Sequence, residues 1–384
     1  MKNLSLLLPL FLLLSLPMCQ VHKNSPANLP GSIFSGKQGK LHVQSSAVDQ
    51  ENEVVYFSFT DKLIKTDLNG NLIGSVTGFV GHLGDMDFDP ESGKIYASLE
   101  FKDDAIGKGI TKTLGVERVS KDGFYIAIFD GSRITEPDMD AEKEDLLKTV
   151  YLKEVVEDYQ ASVKMGDKEM KHRYACSGID GLALAPSMGN PNEGKKYLYV
   201  AYGVYGDTTR YDNDNQVILK YDIQNWEQYG GVLSQNNLHE SGPEEPMGKY
   251  FVRTGNTRYG IQNLAYDSHT GNLFAAVYRG AKSQFPNFSL FVIDGHKEPV
   301  MSEIQSDNKT IEVKTLSLLD AGLRDEATGI RGWNFKWGAT GLEPLGDGLF
   351  YISHNGKSDD GQQISTLYKY RWTGDENEPF VRTE

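Results

Sequence analysis

The sequence predicts an all-β repeat protein, a β-propeller built of four-stranded antiparallel blades. Three observations lead to this prediction. One strand pattern recurs along the chain, Asp- and Gly-containing turns join its first two strands, and the third strand ends in Asp in most copies. Five copies can be read, and a sixth could lie within residues 131–177. The five copies begin at Ser46, Met86, Leu182, Leu264 and Leu342.

The fourth copy illustrates the repeating unit. Its first three strands fall at residues 264–267, 272–277 and 289–294, and residues 267–271 between the first two have hairpin-forming chemistry. A β-sandwich also contains many short strands, but it does not explain why five units share one order of strands. Outer strands are predicted at residues 72–76, 250–254, 311–316 and 380–383.

Residues 131–177 lack the repeat signature. The segment 140–158 is rich in Glu, Lys, Leu and Val, which favours a partly helical structure. We interpret the region as an insertion that contains the outer strand of blade two. The propeller domain is therefore predicted over residues 41–384.

The chain begins with a predicted secretory signal over residues 1–18. Lys2 precedes an apolar run that is too short to span a membrane, and Cys19 follows directly. This arrangement resembles a bacterial lipoprotein signal, which predicts a lipid on Cys19, residues 19–40 as a tether and a place in the cell envelope. The alternative is ordinary cleavage, which leaves Cys19 as a thiol that could pair with Cys176.

The charge balance limits the function classes. The chain has 53 acidic and 39 basic residues, a formal net charge of −14, which argues against binding nucleic acid. It contains no Gly-Xaa-Ser-Xaa-Gly elbow, zinc spacing, phosphate loop or dinucleotide fingerprint. We expect a monomer that contacts a membrane only through the lipid.

Polar side chains mark the starts of the innermost strands, which converge on the propeller axis. Asp85, Asp180, Asn263 and, one turn deeper, Glu343 offer the oxygen ligands that calcium prefers, which predicts a calcium site. The alternative is that these groups cap strand ends and hold channel water. His82 and His42 occupy matching positions in adjacent blades. His82 is a candidate general base, or else a hydrogen-bonded residue of the channel rim.

The segment at residues 178–183 (Gly-Ile-Asp-Gly-Leu-Ala) resembles the corresponding strand of calcium-dependent six-bladed propellers, namely the senescence-marker/gluconolactonase and esterase-like phytase groups. The resemblance covers the repeat and the innermost strand starts. It implies calcium held by acids or amides of at least three blades, and hydrolysis of a lactone or ester. Two features depart from that pattern: five blades can be read, and Gly341 offers no ligand in blade five.

Long loops join the second and third strands of several blades and carry aromatic and Arg side chains suited to ligand binding. Because strands alternate in direction, these loops should share a face with the polar strand starts, and the opposite face should be inert. Trp333 and Trp337, just before blade five, could equally fill the gap between blades. The predicted ligand-binding residues are Tyr205, Arg210, Tyr211, Arg279 and Phe285.

Two functions follow from these patterns, and the sequence leaves open whether the protein is an enzyme. The first is a binding module that presents one funnel-shaped face to a glycan, peptide or protein. The second is a calcium-dependent hydrolase of the gluconolactonase type. A convergent metal cage would favour the hydrolase, and separate strand-end caps would favour the binding module.

Overall fold

The computed structural model describes residues 25–117, 121–143 and 146–384, and their strands form five antiparallel blades arranged as a β-propeller. The predicted fold is confirmed, and no sixth blade forms within the part of the chain that is described. The predicted signal segment, residues 1–18, and Cys19 lie outside the described residues. No helix within the described ranges is both long enough and apolar enough to cross a membrane.

The first two blades follow one another directly along the chain, after strand β1 (Ser32–Phe34). Blade one contains β2 (Val43–Asp49), β3 (Val54–Phe59), β4 (Lys62–Asp67) and β5 (Leu72–Thr77). Blade two begins with β6 (His82–Asp89), β7 (Lys94–Phe101) and β8 (Gly123–Asp130). The short β9 (Met139–Asp140) pairs in parallel with β5, and β10 (Leu147–Tyr151) completes blade two as its outer strand.

Two helices and a hairpin lie between or after these strands in the chain. Helix α1 (Ala105–Leu114) lies between β7 and β8, and α2 (Lys153–Gln160) follows β10. A small hairpin of β11 (Ser162–Met165) and β12 (Lys168–Lys171) precedes blade three. The region between β8 and blade three therefore supplies the outer strand of blade two and is partly helical. Short 3-10 turns lie at Pro26–Asn28, Gly131–Arg133, Arg173–Ala175 and Trp226–Gln228.

The remaining three blades differ in size. Blade three contains β13 (Cys176–Ala185), β14 (Tyr197–Val204), β15 (Asn215–Tyr221) and β16 (Gly248–Arg253). Blade four contains β17 (Thr257–Asp267), β18 (Asn272–Arg279) and β19 (Leu290–Ile293). The connection to blade five carries β20 (Val300–Ser306), β21 (Lys309–Thr315), β22 (Leu323–Arg324) and β23 (Arg331–Gly332). Blade five contains β24 (Leu342–Gly346), β25 (Leu349–Lys357), β26 (Gln363–Trp372) and β27 (Phe380–Arg382).

The outer strand predicted for blade four at residues 311–316 is wrong in its placement. Strand β21 pairs in parallel with β16, so the β20–β21 hairpin extends blade three. At the tip of this hairpin, the Asn308 side chain accepts a hydrogen bond from Gly166 N and donates one to Gly166 O in the β11–β12 turn. The free edge of β19 is covered instead by single bridges from Trp333 and Leu318. The hairpin pattern alone does not say which neighbouring edge a strand will join.

The N-terminal segment closes the ring. Strand β1 pairs antiparallel with β26, with Ser32 opposite Tyr368, and Leu29 and Ile33 are buried beneath it. Residues 32–34 were predicted as part of the tether and belong to blade five instead. Pairing of residues 32–34 with β26 covers backbone groups at the outer edge of blade five.

Four of the five innermost strands contain a β-bulge near the point where they meet the axis. The shifts in register fall between Val43 and Ser45, Leu83 and Met86, Ile179 and Leu182, and Ile261 and Asn263. A bulge redirects a side chain without breaking the strand. These four bulges set the direction of the polar side chains around the axis, which form the candidate site.

Candidate functional site

The centre of the channel is a ring of polar contacts between blades, which we call the hub: Ser45, Asp85 and Asn263. The Ser45 hydroxyl donates to Asp85 Oδ1 at 2.5 Å. Asp85 Oδ2 accepts from the backbone N–H groups of Leu182 (2.8 Å) and Leu264 (3.0 Å). Asn263 Oδ1 accepts from Leu342 N at 3.1 Å, and its amide donates to Gln44 O at 2.9 Å. Through these contacts, the hub joins all five blades.

One layer deeper along the propeller axis, two more carboxyl groups accept hydrogen bonds from the backbone of neighbouring blades. Asp87 accepts from Leu184 N at 2.7 Å, and Glu343 accepts from Val48 N at 3.0 Å. Burial raises the pKa of Asp87 to about 6 and that of Glu343 well above its ordinary value, with the Asp87 carboxylate adding to the effect on Glu343. Each of these carboxyls satisfies a backbone donor of a neighbouring blade, as strand-end caps do.

Three of the four predicted calcium ligands already have hydrogen-bond partners in the protein. Asp85, Asn263 and Glu343 are engaged with backbone groups of other blades. Among the described residues, the His and carboxylate ligand atoms that do converge belong to His82, Glu100 and Asp180. We call these three residues the mouth cluster. Of the predicted ligands, only Asp180 belongs to it.

The mouth cluster is compact. The His82 Nδ1 atom lies 3.6 Å from Glu100 Oε1 and 3.9 Å from Asp180 Oδ1, and all three ligand atoms lie within 4.8 Å of one another. The Glu100 side chain is almost fully buried, at 2% exposure, whereas Asp180 is 16% exposed. The cluster therefore extends from the protein interior to the mouth of the channel.

Strand β7 positions Glu100 by simple alternation, because every second side chain points at the innermost strand of blade three. The Ser98 hydroxyl donates to Asp180 O at 3.0 Å, Glu100 Oε2 accepts from Ile179 N at 3.0 Å, and Lys102 Nζ donates to Ser177 O at 2.7 Å. Gly178, with φ +125°, allows this approach, since a Cβ there would lie 2.0 Å from Glu100 Oε2.

A buried cation lies beside the cluster. The Lys102 ammonium forms an ion pair with Glu100 Oε1 and lies 3.9 Å from Asp104 Oδ2. Burial alone would lower the pKa of Lys102, but the carboxylates of Glu100, Asp104 and Asp180 raise it above its ordinary value. Burial raises the pKa of Asp180, and the Glu100 carboxylate raises it further. The site thus combines acidic groups with one fixed positive charge.

His82 is neutral in this environment. Burial lowers its pKa to about 3, and the positive charges of Lys102 and His42 act in the same direction. Its Nδ1 atom is buried and makes no hydrogen bond with any described residue. His42 holds the matching position in blade one, and its Nε2 contacts the Asn355 amide at 3.2 Å.

Amide and phenol groups surround the exposed side of the cluster. The Gln262 amide donates to Asp180 Oδ2 at 2.9 Å and to Tyr259 O at 3.2 Å. The rings of Tyr259 and Tyr278 pack edge to face at 6.2 Å. Burial, with a contribution from the Asp180 carboxylate, raises the pKa of Tyr278 to about 12.

Asp180 lies at the end of the blades from which the long loops leave. A Cβ on Gly203, next to the last residue of β14 and just before the loop to β15, would lie 2.9 Å from the Asp180 carboxylate. On this side, Tyr205 donates from its hydroxyl to Asp104 Oδ2 at 2.9 Å. Of the predicted loop residues, Tyr205 is therefore the one connected to the cluster, through Asp104 and Lys102.

Two of the other predicted loop residues, Arg210 and Phe285, hold the loops together. Arg210 is buried, pairs with both oxygens of Asp212 and donates to the carbonyls of Lys171 and His172. Phe285 packs against the backbone at Gly255.

Two of the predicted loop residues remain exposed. Tyr211 is 41% exposed and bonds the Asn308 side chain at 3.1 Å, and exposed Arg279 donates to Asn287 O at 2.8 Å. The nearby tryptophans differ: Trp333 is buried between blades, and Trp337 stacks on His354 at 3.9 Å.

The sequence reasoning missed Glu100 and Lys102. Glu100 lies in strand β7, the second strand of blade two, and Lys102 follows directly after its end, whereas the predicted sites lie at the starts of innermost strands. The available signal was Ser98, Glu100 and Lys102 at alternate positions along this largely apolar strand and just beyond it. Polar groups at that spacing in a buried strand must find partners, which marks them as candidates for a site.

The opposite face of the propeller is the one that the sequence predicts to be inert. A cleft of about 870 Å³ opens there between blades two and three, with a floor that includes Tyr96, Leu184 and Trp226. Its rim contains ion pairs such as Lys195–Asp222 (2.6 Å) and Lys94–Glu227 (3.4 Å). The rim charges are thus largely neutralised within the protein.

Comparison with known proteins adds little to this description. No known family profile and no curated protein matches the chain. Among solved structures, it is similar to hydrazine synthase of Kuenenia stuttgartiensis, with 14% identity and a TM-score of 0.34. That match covers 65% of this chain and 57% of the other. The strand topology itself defines the class: a five-bladed β-propeller with a polar channel.

Proposed function

We propose that this protein is a binding module that holds a glycan at the mouth of its channel. The observation that carries the proposal is the grouping of Asp180, Gln262, Tyr259 and Tyr278 at one end of the axis, on the face of the long loops. Carboxylate and amide groups can bond neighbouring sugar hydroxyls, and tyrosine rings offer apolar faces for sugar C–H groups.

The rigidity of the surrounding loops supports this proposal, because a preorganised site loses less entropy on binding. The Lys282 ammonium is buried and bonds Arg210 O, Asn213 Oδ1 and Asp214 Oδ1. It therefore fastens the loop after β18 to the loop after β14. Burial of Arg210 against Asp212 strengthens the same region.

The test is a titration of the protein with soluble cellotriose, chitotriose and maltotriose, followed by saturation-transfer NMR. At least one should bind, and Tyr259→Ala and Gln262→Ala should each weaken binding about tenfold or more. Tyr211→Ala is the matched control, because that exposed ring lies on a loop of the same face but contacts the outer hairpin. Equal loss with Tyr211→Ala, or no binding of any of these sugars, would contradict a site at the mouth.

The second candidate is a calcium-dependent hydrolase of lactones or esters. His82 beside Asp180 favours it, because a neutral imidazole near a carboxylate can act as a general base. Three of its four expected calcium ligands, however, are bonded to backbone groups. Hydrolysis of gluconolactone that depends on calcium and is lost in His82→Ala would support this candidate over the binding module.

We also propose export and a lipid anchor on Cys19. The support is the apolar run followed directly by Cys19. Cys19→Ser should move the protein from the membrane fraction to the soluble fraction. Equal membrane retention of the variant would contradict the lipid.

A further inference from the structure

We infer that the mouth cluster, His82, Glu100 and Asp180, binds a late first-row divalent metal ion, with zinc as the type case. The inference concerns the metal alone and does not depend on a glycan being the ligand. Zinc binds imidazole nitrogen and carboxylate oxygen at about 2.0–2.2 Å, so tetrahedral ligand atoms lie about 3.4 Å apart. The separations of 3.6 and 3.9 Å from His82 Nδ1 need only a small contraction to reach that value.

The buried nitrogen of His82 is the observation that points to a ligand. Its Nδ1 is inaccessible and has no hydrogen-bond partner among the described residues, and only 13% of the side chain is exposed. A buried polar atom without a partner destabilises the folded protein. This atom faces the oxygens of Glu100 and Asp180, so a cation placed between the three would satisfy it.

Each carboxylate in the cluster is held by one oxygen and presents the other. Glu100 Oε2 accepts from Ile179 N, and its Oε1 faces His82. Asp180 Oδ2 accepts from the Gln262 amide, and its Oδ1 faces His82. Hydrogen bonds to the outer oxygen of a carboxylate orient the inner oxygen, as outer-shell groups do in metal sites.

The local charge also suits a divalent cation. The carboxylates of Glu100, Asp104 and Asp180 contribute three negative charges when ionised. The Lys102 ammonium offsets one of them, so one divalent ion would bring the group to neutrality. Because Lys102 pairs with the same Glu100 oxygen that faces His82, the ammonium and the metal compete for it.

The donor set selects the kind of metal. Calcium requires six to eight oxygen ligands, whereas this cluster offers one imidazole nitrogen and two carboxylate oxygens. Imidazole is a good ligand for zinc and the other late first-row divalent metals. Three protein ligands leave a fourth position on the metal for water or a bound molecule. Since Asp180 is partly exposed, that position opens towards the channel mouth.

The test uses chelator-treated full-length protein without a histidine tag, titrated with Co²⁺ and then with competing Zn²⁺. One equivalent of Co²⁺ should bind and give the visible absorption bands of a four-coordinate site. His82→Ala should weaken binding at least about 100-fold, and His82→Cys, which retains a ligand, should recover much of it. Lys102→Met should tighten binding, because it removes the competing ammonium.

His42→Ala is the matched control, since His42 holds the equivalent position in the adjacent blade and contacts Asn355. Its affinity for Co²⁺ should stay within about threefold of the parent protein. Each variant is first checked by thermal melting to confirm that it is folded. Binding of less than one equivalent, or equal binding by His82→Ala, would overturn the metal site. If the parent protein binds the metal but none of the sugars, only the proposed function is contradicted.

Discussion

The hub and the mouth cluster are two layers of similar polar residues, but they differ in whether their buried polar groups have hydrogen-bond partners. In the hub, each polar group is matched by a backbone or hydroxyl group of another blade. In the mouth cluster, three ligand atoms face one another, and His82 Nδ1 has no partner among the described residues. The first layer uses polarity to fix the architecture, and the second leaves polarity available for a ligand.

The difference arises from what the backbone needs at each level. At the hub, the N–H groups of Leu182, Leu264 and Leu342 point towards the axis, where no further strand can pair with them. Buried N–H groups must be satisfied, so the side chains of Asp85 and Asn263 are committed to them. Two residues before Leu182 and Leu264, the side chains of Asp180 and Gln262 do not bond these N–H groups.

The largest expected effect follows from breaking the hub. Asp85→Ala removes the acceptor of Ser45, Leu182 N and Leu264 N together. Leaving buried donors unsatisfied should lower the free energy of unfolding by about 3 kcal/mol, measured by urea denaturation at pH 7. Asp85→Asn is the control, because its amide can donate to Ser45 while its oxygen accepts from the N–H groups. Equal stability of Asp85→Ala and the parent would show that the hub is not structural.

A smaller effect is expected at Asn263, which accepts from Leu342 N and donates to Gln44 O. Asn263→Ala should lower the free energy of unfolding by about 2 kcal/mol, since fewer donors lose their partner than in Asp85→Ala. If removal of Asn263 made the protein less stable than removal of Asp85, the carboxylate would not be the centre of the hub.

Much of the fold could be predicted from the sequence because the blade repeat is local. The order of strands follows from hairpin turns such as residues 267–271 and from alternating apolar residues. The pairing of outer strands with blade edges could not be predicted in the same way. Whether β21 joins blade three or blade four, and whether β1 joins β26, depends on which edges lie close in space.

The site was predicted only in part, for a physical reason. Polar residues at the strand starts of different blades do converge on the axis, because Ser45 bonds both Asp85 and Asn263, and the carboxylates of Asp85 and Asp180 interact. Their hydrogen bonds were not foreseeable, because the donors are backbone groups that a side-chain pattern does not reveal. Glu100 enters the site from a second strand, and only the structure shows that this strand faces blade three.

The pH dependence of stability should separate the hub from ordinary carboxyls. Burial raises the pKa of Asp85 to about 8 in the folded protein, above the unfolded value of about 3.9. The folded state therefore holds the proton more tightly, and stability should fall as pH rises through this interval. Between pH 6.5 and 7.5, this group should lower the free energy of unfolding by about 1.2 kcal/mol.

Comparison of the parent protein with Asp85→Asn isolates this contribution, because the amide does not titrate in this range. Contributions from other groups, including buried Asp87 and Glu343, should remain in both proteins. The difference in unfolding free energy between the two should shift in favour of Asp85→Asn as pH rises. A difference that is constant with pH would show that Asp85 stays ionised in the folded state.

The smallest expected effect on stability comes from Gln262, the direct neighbour of Asn263 in strand β17. Its amide bonds Asp180 Oδ2 and Tyr259 O, and the side chain is partly exposed, so water can replace it when it is removed. Gln262→Ala should change the free energy of unfolding by less than about 0.5 kcal/mol, measured by urea denaturation beside Asn263→Ala. The same substitution should weaken Co²⁺ binding about tenfold, because Asp180 loses the group that orients it. A large loss of stability with unchanged metal affinity would place Gln262 in the hub and erase the distinction between the two layers.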